Sequence, residues 1–153
     1  MSDKRTLEEA QGSSAHCAVC DRRMASPRDS VLLASKLWTA TLARDVPGWV
    51  MVMLNRHNGD WLWGLSHQEA QELGPLMQRL SAAAKAEAEA ERIYMMGFGE
   101  QSQHFHLLLL TRSADTPEHL RGPALLERAR DLADPEEALR TGSRMRRRLA
   151  APV

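Results

Sequence analysis

The sequence predicts an α+β domain with five β-strands, one long helix and a helical C-terminal part. Short segments of mainly apolar residues at 30–34, 37–44, 49–54, 92–98 and 104–112 have the length and composition of strands. A capped, amphipathic segment that begins at Ser66 separates the third of these from the fourth. Beyond residue 113 the strand-like segments stop and helical ones follow.

The chain begins with a polar stretch and then a pair of cysteines. Residues 1–15 show no hydrophobic period, so we expect a flexible N-terminal arm, and their lack of an apolar segment suggests a cytoplasmic protein. Cys17 and Cys20 form a CxxC motif. A redox dithiol normally opens a helix after a strand, and no strand pattern precedes Cys17. The spacing therefore favours a metal-binding knuckle.

The first three strand-like segments predict the beginning of a sheet. The segments 30–34 and 37–44 are expected to pair as antiparallel strands across a tight connection, and Pro47 and Gly48 indicate the next turn. The segment 49–54 is apolar on both faces, which predicts an interior strand. His57 follows it and is well placed to meet groups at the ends of neighbouring strands.

A long helix is predicted from Ser66 onward. Ser66 and Glu69 have the spacing of a capping box, in which each side chain binds the other residue's backbone N–H. Apolar residues then recur at spacings of three and four and give one buried stripe, formed by Ala70, Leu73, Met77, Leu80 and Ala84. The far end of this helix is rich in Ala and Glu and is expected to face solvent.

The segment 104–112 is predicted to be an interior strand with two histidines on one face. Alternate side chains on a strand share a face, so His104, His106 and Leu108 point one way while Phe105 and Leu107 point the other. Imidazoles are costly to bury without partners. Each histidine could be a hydrogen-bonded core residue, but the CxxC motif and a third histidine upstream favour a shared metal ion.

The remaining forty residues, 114–153, are predicted to form a C-terminal helical extension. One helix is expected over 124–132 and another from Pro135, since proline is favoured in the first helical turn. The arginine-rich segment 144–148 could contact phosphate, but we predict a solvated, basic helix end.

Composition limits the possible functions. A chain of 153 residues that is 43% hydrophobic suits one domain with a substantial core. Its 20 basic and 20 acidic residues give no net charge, which argues against nucleic acid or an anionic membrane as partner. No segment approaches the roughly 20 apolar residues of a membrane span. Two cysteines in a cytoplasmic chain suggest reduced thiols or metal ligands.

These residues together predict a structural zinc site. A closed zinc site takes four nitrogen and sulfur ligands in a tetrahedron. Ligands from three separate elements would hold the N-terminal segment on the sheet and contribute to folding. The predicted ligands are Cys17, Cys20, His57 and His104. His16 could compete with them, whereas His67 and His119 are expected on the surface.

The motifs resemble those of the histidine-triad (HIT) superfamily, in particular its zinc-binding bacterial branch. The segment 104–112 is similar to the superfamily's His-x-His-x-His signature, and the CxxC motif is similar to its zinc knuckle. Residues 49–57 resemble its strand that ends in a basic residue and a histidine, and 65–74 resemble the start of its long helix. The resemblance covers about residues 16–113, which we take as the HIT-like domain.

The resemblance implies a fold, a ligand set and an activity. It implies a meander of five antiparallel strands with a long helix, commonly paired as a homodimer, and zinc held by the four residues above. His106 matches the superfamily's nucleophile, which attacks the α-phosphate of a nucleotide and forms a nucleotidyl-imidazole that water or another acceptor resolves. The substrate-binding positions implied by the same match are Gly99, Glu100, Gln101, Ser102 and Leu108.

Two departures from the pattern leave two hypotheses open. Leu108 replaces the third histidine, and Glu100 stands where the superfamily often has Gln; a leucine cannot donate to phosphate, and a carboxylate repels it. The chain is then either a nucleotide-phosphate hydrolase or nucleotidyl transferase, or a zinc-stabilised domain that has lost hydrolysis. The second would bind a nucleotide or partner, or carry out different chemistry. A redox CxxC protein is a third, more distant alternative. Trp61 and Trp63 could contribute specificity or packing.

Overall fold

The computed structural model describes residues 17–58 and 61–151. The arm expected at 1–15 and His16 lie outside these residues. Within them the strands are β1 (Val31–Ala34), β2 (Trp38–Leu42), β3 (Val50–Leu54), β4 (Arg92–Met96) and β5 (His106–Arg112). The helices are α1 (Ala18–Ala25), α2 (His67–Glu87), α3 (Ala124–Glu127), α4 (Ala129–Leu132) and α5 (Pro135–Ala150), with short 3-10 turns at Trp61–Gly64 and Glu118–Leu120.

The five strands form one antiparallel sheet in the order β1-β2-β3-β5-β4. The predicted α+β class, with a five-stranded antiparallel sheet and a long helix, is confirmed. Helix α2 carries the chain from β3 to the far edge of the sheet, and β5 then returns between β3 and β4. Met53 of β3 pairs with His106 of β5, and Met96 of the edge strand β4 pairs with Leu108. The two candidate site residues therefore lie in the interior of the sheet.

Helix α2 begins with the predicted capping box. Ser66 Oγ accepts a hydrogen bond from Glu69 N, and the Glu69 carboxylate accepts one from Ser66 N. Four residues of the predicted stripe pack in the core, namely Leu73, Met77, Leu80 and Ala84. The prediction is wrong at Ala70, which is exposed, and it missed Leu76, which is buried. Glu69 faces inward at the first turn, which rotates Ala70 away from the sheet.

The sheet has a core on each face. On one face, α2 and α5 cover a cluster that includes Trp38, Phe105 and Leu109. On the other face, α3 and α4 cover Trp49 and Leu110, and α1 packs through Val19 against Met53. The predicted alternation along the histidine segment is confirmed, since Leu109 packs on the first face and Leu110 on the second. The strand itself begins at His106, two residues later than predicted, because the chain before it bonds to the loop that follows β3.

The C-terminal segment contributes helix α5 to the main core. Met145 is fully buried there, and Gly142 lies so close to Leu42 that a Cβ atom would sit 2.9 Å from its Cδ1. Arg144 and Arg148 form ion pairs with Glu87 of α2, at 3.6 and 2.8 Å. These two arginines pair with a residue of the neighbouring helix instead of projecting freely from a helix end.

The segment 124–132, predicted as one helix, forms two short helices that are interrupted at Arg128. None of the helices in the described ranges combines the length and the apolar character required to cross a bilayer.

Candidate functional site

Four predicted metal ligands converge at one end of the sheet. The ligand atoms of Cys17, Cys20, His57 and His104 all lie within 4.8 Å of one another. Both sulfurs lie 3.3 Å from His104 Nδ1, and Cys20 Sγ lies 3.7 Å from His57 Nδ1. Cys17 and His104 are buried, and the other two are half-buried.

The CxxC motif is placed by a helix that the sequence interpretation did not include. Cys17 is the N-cap of α1, and its Sγ accepts a hydrogen bond from Cys20 N at 3.5 Å. Val19, between the two cysteines, is buried against Met53 of β3. This packing turns both sulfurs toward the end of β3 and the start of β5.

His104 is oriented by the backbone of β3. Its Nε2–H donates to the carbonyl of Leu54 at 2.7 Å, so Nδ1 carries the lone pair that faces the two sulfurs. Burial lowers the pKa of His104, which favours the neutral imidazole that a metal requires. Burial also raises the pKa of the Cys20 thiol, which has the hydrogen-bonded Cys17 as its neighbour.

The donor set fits a zinc ion. Ordinary Zn–S and Zn–N bond lengths in a tetrahedron space sulfur and nitrogen about 3.5 Å apart, and the separations here are 3.3 and 3.7 Å. The His57 ring lies edge-on to the His104 ring at 5.3 Å, so the two Nδ1 atoms approach from different directions. Two thiols and two imidazoles are the ligands of closed, structural zinc sites.

An ion pair connects the candidate metal centre to helix α2. Arg56, which precedes His57, donates from Nε and Nη2 to both carboxylate oxygens of Glu69, at 2.6 and 2.8 Å, and Nη2 also donates to Gly64 O. Glu69 is 3% exposed and closes the capping box as well. The Arg56 guanidinium lowers the pKa of that carboxyl group. The loop that carries His57 is therefore fixed by the first turn of α2.

His106 is oriented for a different role. Its Nδ1–H donates to the backbone carbonyl of His104 at 2.7 Å, which leaves the lone pair on Nε2. The Trp61 ring lies edge-on to the imidazole at 5.7 Å and also packs on Phe105. Gly97 and Gly99 make room for this indole, since a Cβ at either position would lie 2.9 or 3.2 Å from its ring carbons.

His106 lines a cavity of about 590 Å³ on the side of the sheet that carries α1. The predicted substrate-binding positions line the same cavity: Gly99, Glu100, Gln101, Ser102 and Leu108. The structure adds two basic residues that the sequence interpretation missed, Arg22 of α1 and Arg44 after β2. They are remote from the histidine segment in sequence, and no motif marks them.

The other described histidines lie on the surface. His67, in the first turn of α2, and His119, in a 3-10 turn, are both exposed. The two tryptophans considered for specificity differ, because Trp61 is half-buried behind His106 whereas Trp63 is 80% exposed.

Neither family models nor curated proteins match this sequence. Solved structures do match the fold. A HIT-like protein from Bartonella henselae, described as involved in cell-cycle regulation, has a TM-score of 0.66 at 12% identity, over 90% of this chain and 99% of that one. A Zn-bound histidine triad family protein from Mycobacterium smegmatis has a TM-score of 0.64 at 18% identity, over 90% and 96%.

A third similar structure is the diadenosine triphosphate hydrolase of Plasmodium falciparum, in complex with cyclomarin A. Its TM-score is 0.57 at 11% identity, over 79% of this chain and 76% of that one. At such identities the likeness establishes the fold, and the chain has the fold of the histidine-triad proteins.

Proposed function

We propose that this chain with the histidine-triad fold is a nucleotide-phosphate hydrolase or nucleotidyl transferase. The reaction would proceed through a covalent nucleotidyl-His106 intermediate, with zinc as a structural ion. One observation carries the proposal: His106 has its Nδ1–H bonded to a backbone carbonyl, so its Nε2 lone pair is available, and the residue lines a cavity of about 590 Å³.

The proposed reaction divides one displacement into two. In the first step, the Nε2 lone pair of His106 forms a bond to the α-phosphorus, and the bond from phosphorus to the leaving group breaks with its electron pair on that group. The carbonyl of His104 accepts the Nδ1–H bond and stabilises the positive charge that the ring acquires. In the second step, water or another acceptor displaces Nε2 and releases the nucleotide.

The zinc ion would be held by Cys17, Cys20, His57 and His104, whose donor atoms have the spacing of a tetrahedral site. With all four positions taken by protein, such an ion has no open position for substrate. Its contribution is to join α1, the loop after β3 and the start of β5. His104 thereby has a fixed position, and its carbonyl orients His106.

Two similar structures support the parts of this proposal. The protein from M. smegmatis is Zn-bound, and the protein from P. falciparum is a diadenosine triphosphate hydrolase. Proteins that share a fold need not share an activity or a bound metal. The local geometry of the four ligands and of His106 is therefore the stronger support for the proposal.

The test is turnover of three substrate types by the purified protein: nucleoside phosphoramidates, dinucleoside polyphosphates and adenylated small molecules. We expect hydrolysis of at least one, a mass increase of one nucleotidyl group on His106 after quenching with base, and about one zinc per chain by elemental analysis. His106→Ala should abolish turnover, while His119→Ala, which alters an exposed histidine, should not. The proposal is wrong if none of the substrates reacts, or if His106→Ala retains the activity of the parent.

A second candidate function is favoured by Leu108 and Glu100. Both line the cavity beside His106; one cannot donate a hydrogen bond, and the other places negative charge where a phosphate would bind. This candidate is a zinc-stabilised domain that binds a nucleotide or partner without cleaving it. Calorimetry with AMP separates the two, because binding without turnover of any substrate supports the second.

We also propose that the chain forms a homodimer in the cytoplasm. Strand β4 is an edge of the sheet; Met95 within it is 64% exposed, and Phe98 just after it is 60% exposed. An open edge with apolar side chains favours strand pairing with a second copy. Light scattering should give a mass of two chains if the dimer forms.

The proposed cytoplasmic location rests on the cysteines, because reduced thiols at positions 17 and 20 require a reducing compartment.

A further inference from the structure

Two arginines from separate elements meet at the cavity that His106 lines. Arg22 lies in α1, and its Nη2 donates to the carbonyl of Leu42 at 2.7 Å. Arg44 follows β2 two residues after Leu42. Arg22 and Arg44 both line the cavity, whereas Asp45, which follows Arg44, lies outside its lining.

The backbone that presents Arg44 is strained. Arg44 and Asp45 both have φ at 55°, in the left-handed region that residues other than Gly, Asn and Asp seldom adopt. Such conformations are maintained mainly where a structure uses them. Within residues 17–58 and 61–151, the Arg44 side chain has no hydrogen bond and no ion pair. Two guanidiniums that line one cavity, one of them without a hydrogen bond or ion pair among the described residues, favour the binding of an anion.

Among the described residues, the side chain next to His106 on the same strand face cannot protonate a leaving group. Leu108 is the next residue on the same strand face, and it has no donor. The acidic residue of the cavity lining is Glu100, which is also unsuited to binding an anion. A leaving group that receives no proton departs from phosphorus as an anion, and nearby positive charge stabilises it.

We propose that Arg22 and Arg44 form a second anion subsite, which binds a charged leaving group such as a further phosphate of the substrate. The proposal rests on the nucleotidyl-transfer function above. In the first step, the P–O bond to the leaving group breaks, its electron pair stays on the departing oxygen, and the two guanidiniums neutralise that charge without proton transfer. Substrates whose leaving group carries no charge have no partner at this subsite.

Calorimetry at fixed ionic strength tests the subsite with two probes, AMP and the non-hydrolysable ADP analogue α,β-methylene-ADP. We expect the parent protein to bind the analogue roughly tenfold more tightly than AMP, as one charge-assisted contact would give. Arg44→Gln should remove most of this difference and leave the affinity for AMP within about twofold. Arg28→Gln is the matched control, because Arg28 is also exposed and lies outside the cavity lining.

Several results would overturn the subsite. The parent could bind both probes equally, Arg44→Gln could weaken both probes by the same factor, or Arg28→Gln could have the same effect as Arg44→Gln. Each of these leaves the proposed function standing, since AMP still binds. If neither probe binds the parent protein, the nucleotide function itself fails and the subsite fails with it.

Discussion

At the scale of single residues, the two histidines of the segment 104–112 have different partners. His104 is enclosed by sulfur atoms and a backbone carbonyl, whereas His106 faces a cavity. Leu108 lines the same cavity two residues further on, where it provides an apolar surface and no hydrogen bond. The proposed chemistry therefore depends on one imidazole, and the identity of the leaving group depends on residue 108.

We predict that Leu108→His raises activity toward substrates with a poor leaving group. Leu108 is half-buried and lines the cavity, so an imidazole there has space to reach the departing atom and protonate it. One well-placed donor is worth about 10²-fold in rate. The measurement is kcat/KM with an adenosine phosphoramidate, whose amine must be protonated to leave. Leu108→Met keeps the volume without a donor and should leave the rate unchanged; equal rates for the two variants would contradict the prediction.

At the scale of elements, the first turn of α2 positions the loop that carries His57. The Arg56–Glu69 ion pair has two hydrogen bonds, and its carboxylate is buried. Arg56 keeps the pKa of Glu69 below its usual value. Glu69 is therefore ionised and bonded in the folded protein at pH values where the unfolded chain, with its pKa near 4.3, is becoming protonated.

We predict that this pair makes the protein more stable at neutral than at acid pH. Because the pKa of Glu69 is lower in the folded state, its contribution is present above about pH 4.3 and is lost as the pH falls through the folded-state value. Glu69→Gln should lower the free energy of unfolding by about 1–3 kcal/mol at pH 7. The difference from the parent should shrink toward pH 3, as measured by urea unfolding.

The control for that prediction is Glu72→Gln on the same helix. Glu72 accepts one hydrogen bond from Gln68 at an exposed site, so its replacement should change stability by less than about 0.5 kcal/mol. A loss for Glu69→Gln that is the same at both pH values would show that the pair does not titrate as described.

Sequence patterns predicted the elements that have a strong local signal. The apolar strands, the capping box and the start of α5 were predictable because each depends on residues close together in the chain. Helix α1 was not, because it has eight residues and a cysteine as its cap. The meeting of Arg22 and Arg44 depends on how α1 packs on the sheet, and no local pattern encodes that packing.

At the scale of the whole molecule, the C-terminal segment completes the core. Helix α5 packs against α2 and β1, and its Met145 is fully buried in the same cluster as Trp38 and Phe105. The ion pairs of Arg144 and Arg148 with Glu87 lie at the surface of this contact. Exposed ion pairs of this kind contribute little to the free energy of unfolding. The contact between α5 and the rest of the core is therefore stabilised mainly by the burial of apolar side chains.

We predict that Met145→Ala lowers the free energy of unfolding by about 2–5 kcal/mol, as expected for truncation of a fully buried methionine. The control is Leu132→Ala, because Leu132 is 41% exposed and its loss leaves no cavity. Denaturant unfolding measures both. If the two variants are equally stable, α5 is a peripheral addition that the sheet and α2 do not require.

The ligands of the candidate metal centre are widely spaced along the chain, and this affects how the protein is made. His57 follows Cys20 by 37 residues, and His104 follows it by 84. At a translation rate of about 5–20 residues per second, the two thiols leave the ribosome roughly 4–17 seconds before the final imidazole. During that interval the nascent chain offers an incomplete coordination sphere, in which the thiols are open to oxidants and to competing soft metals until His104 emerges.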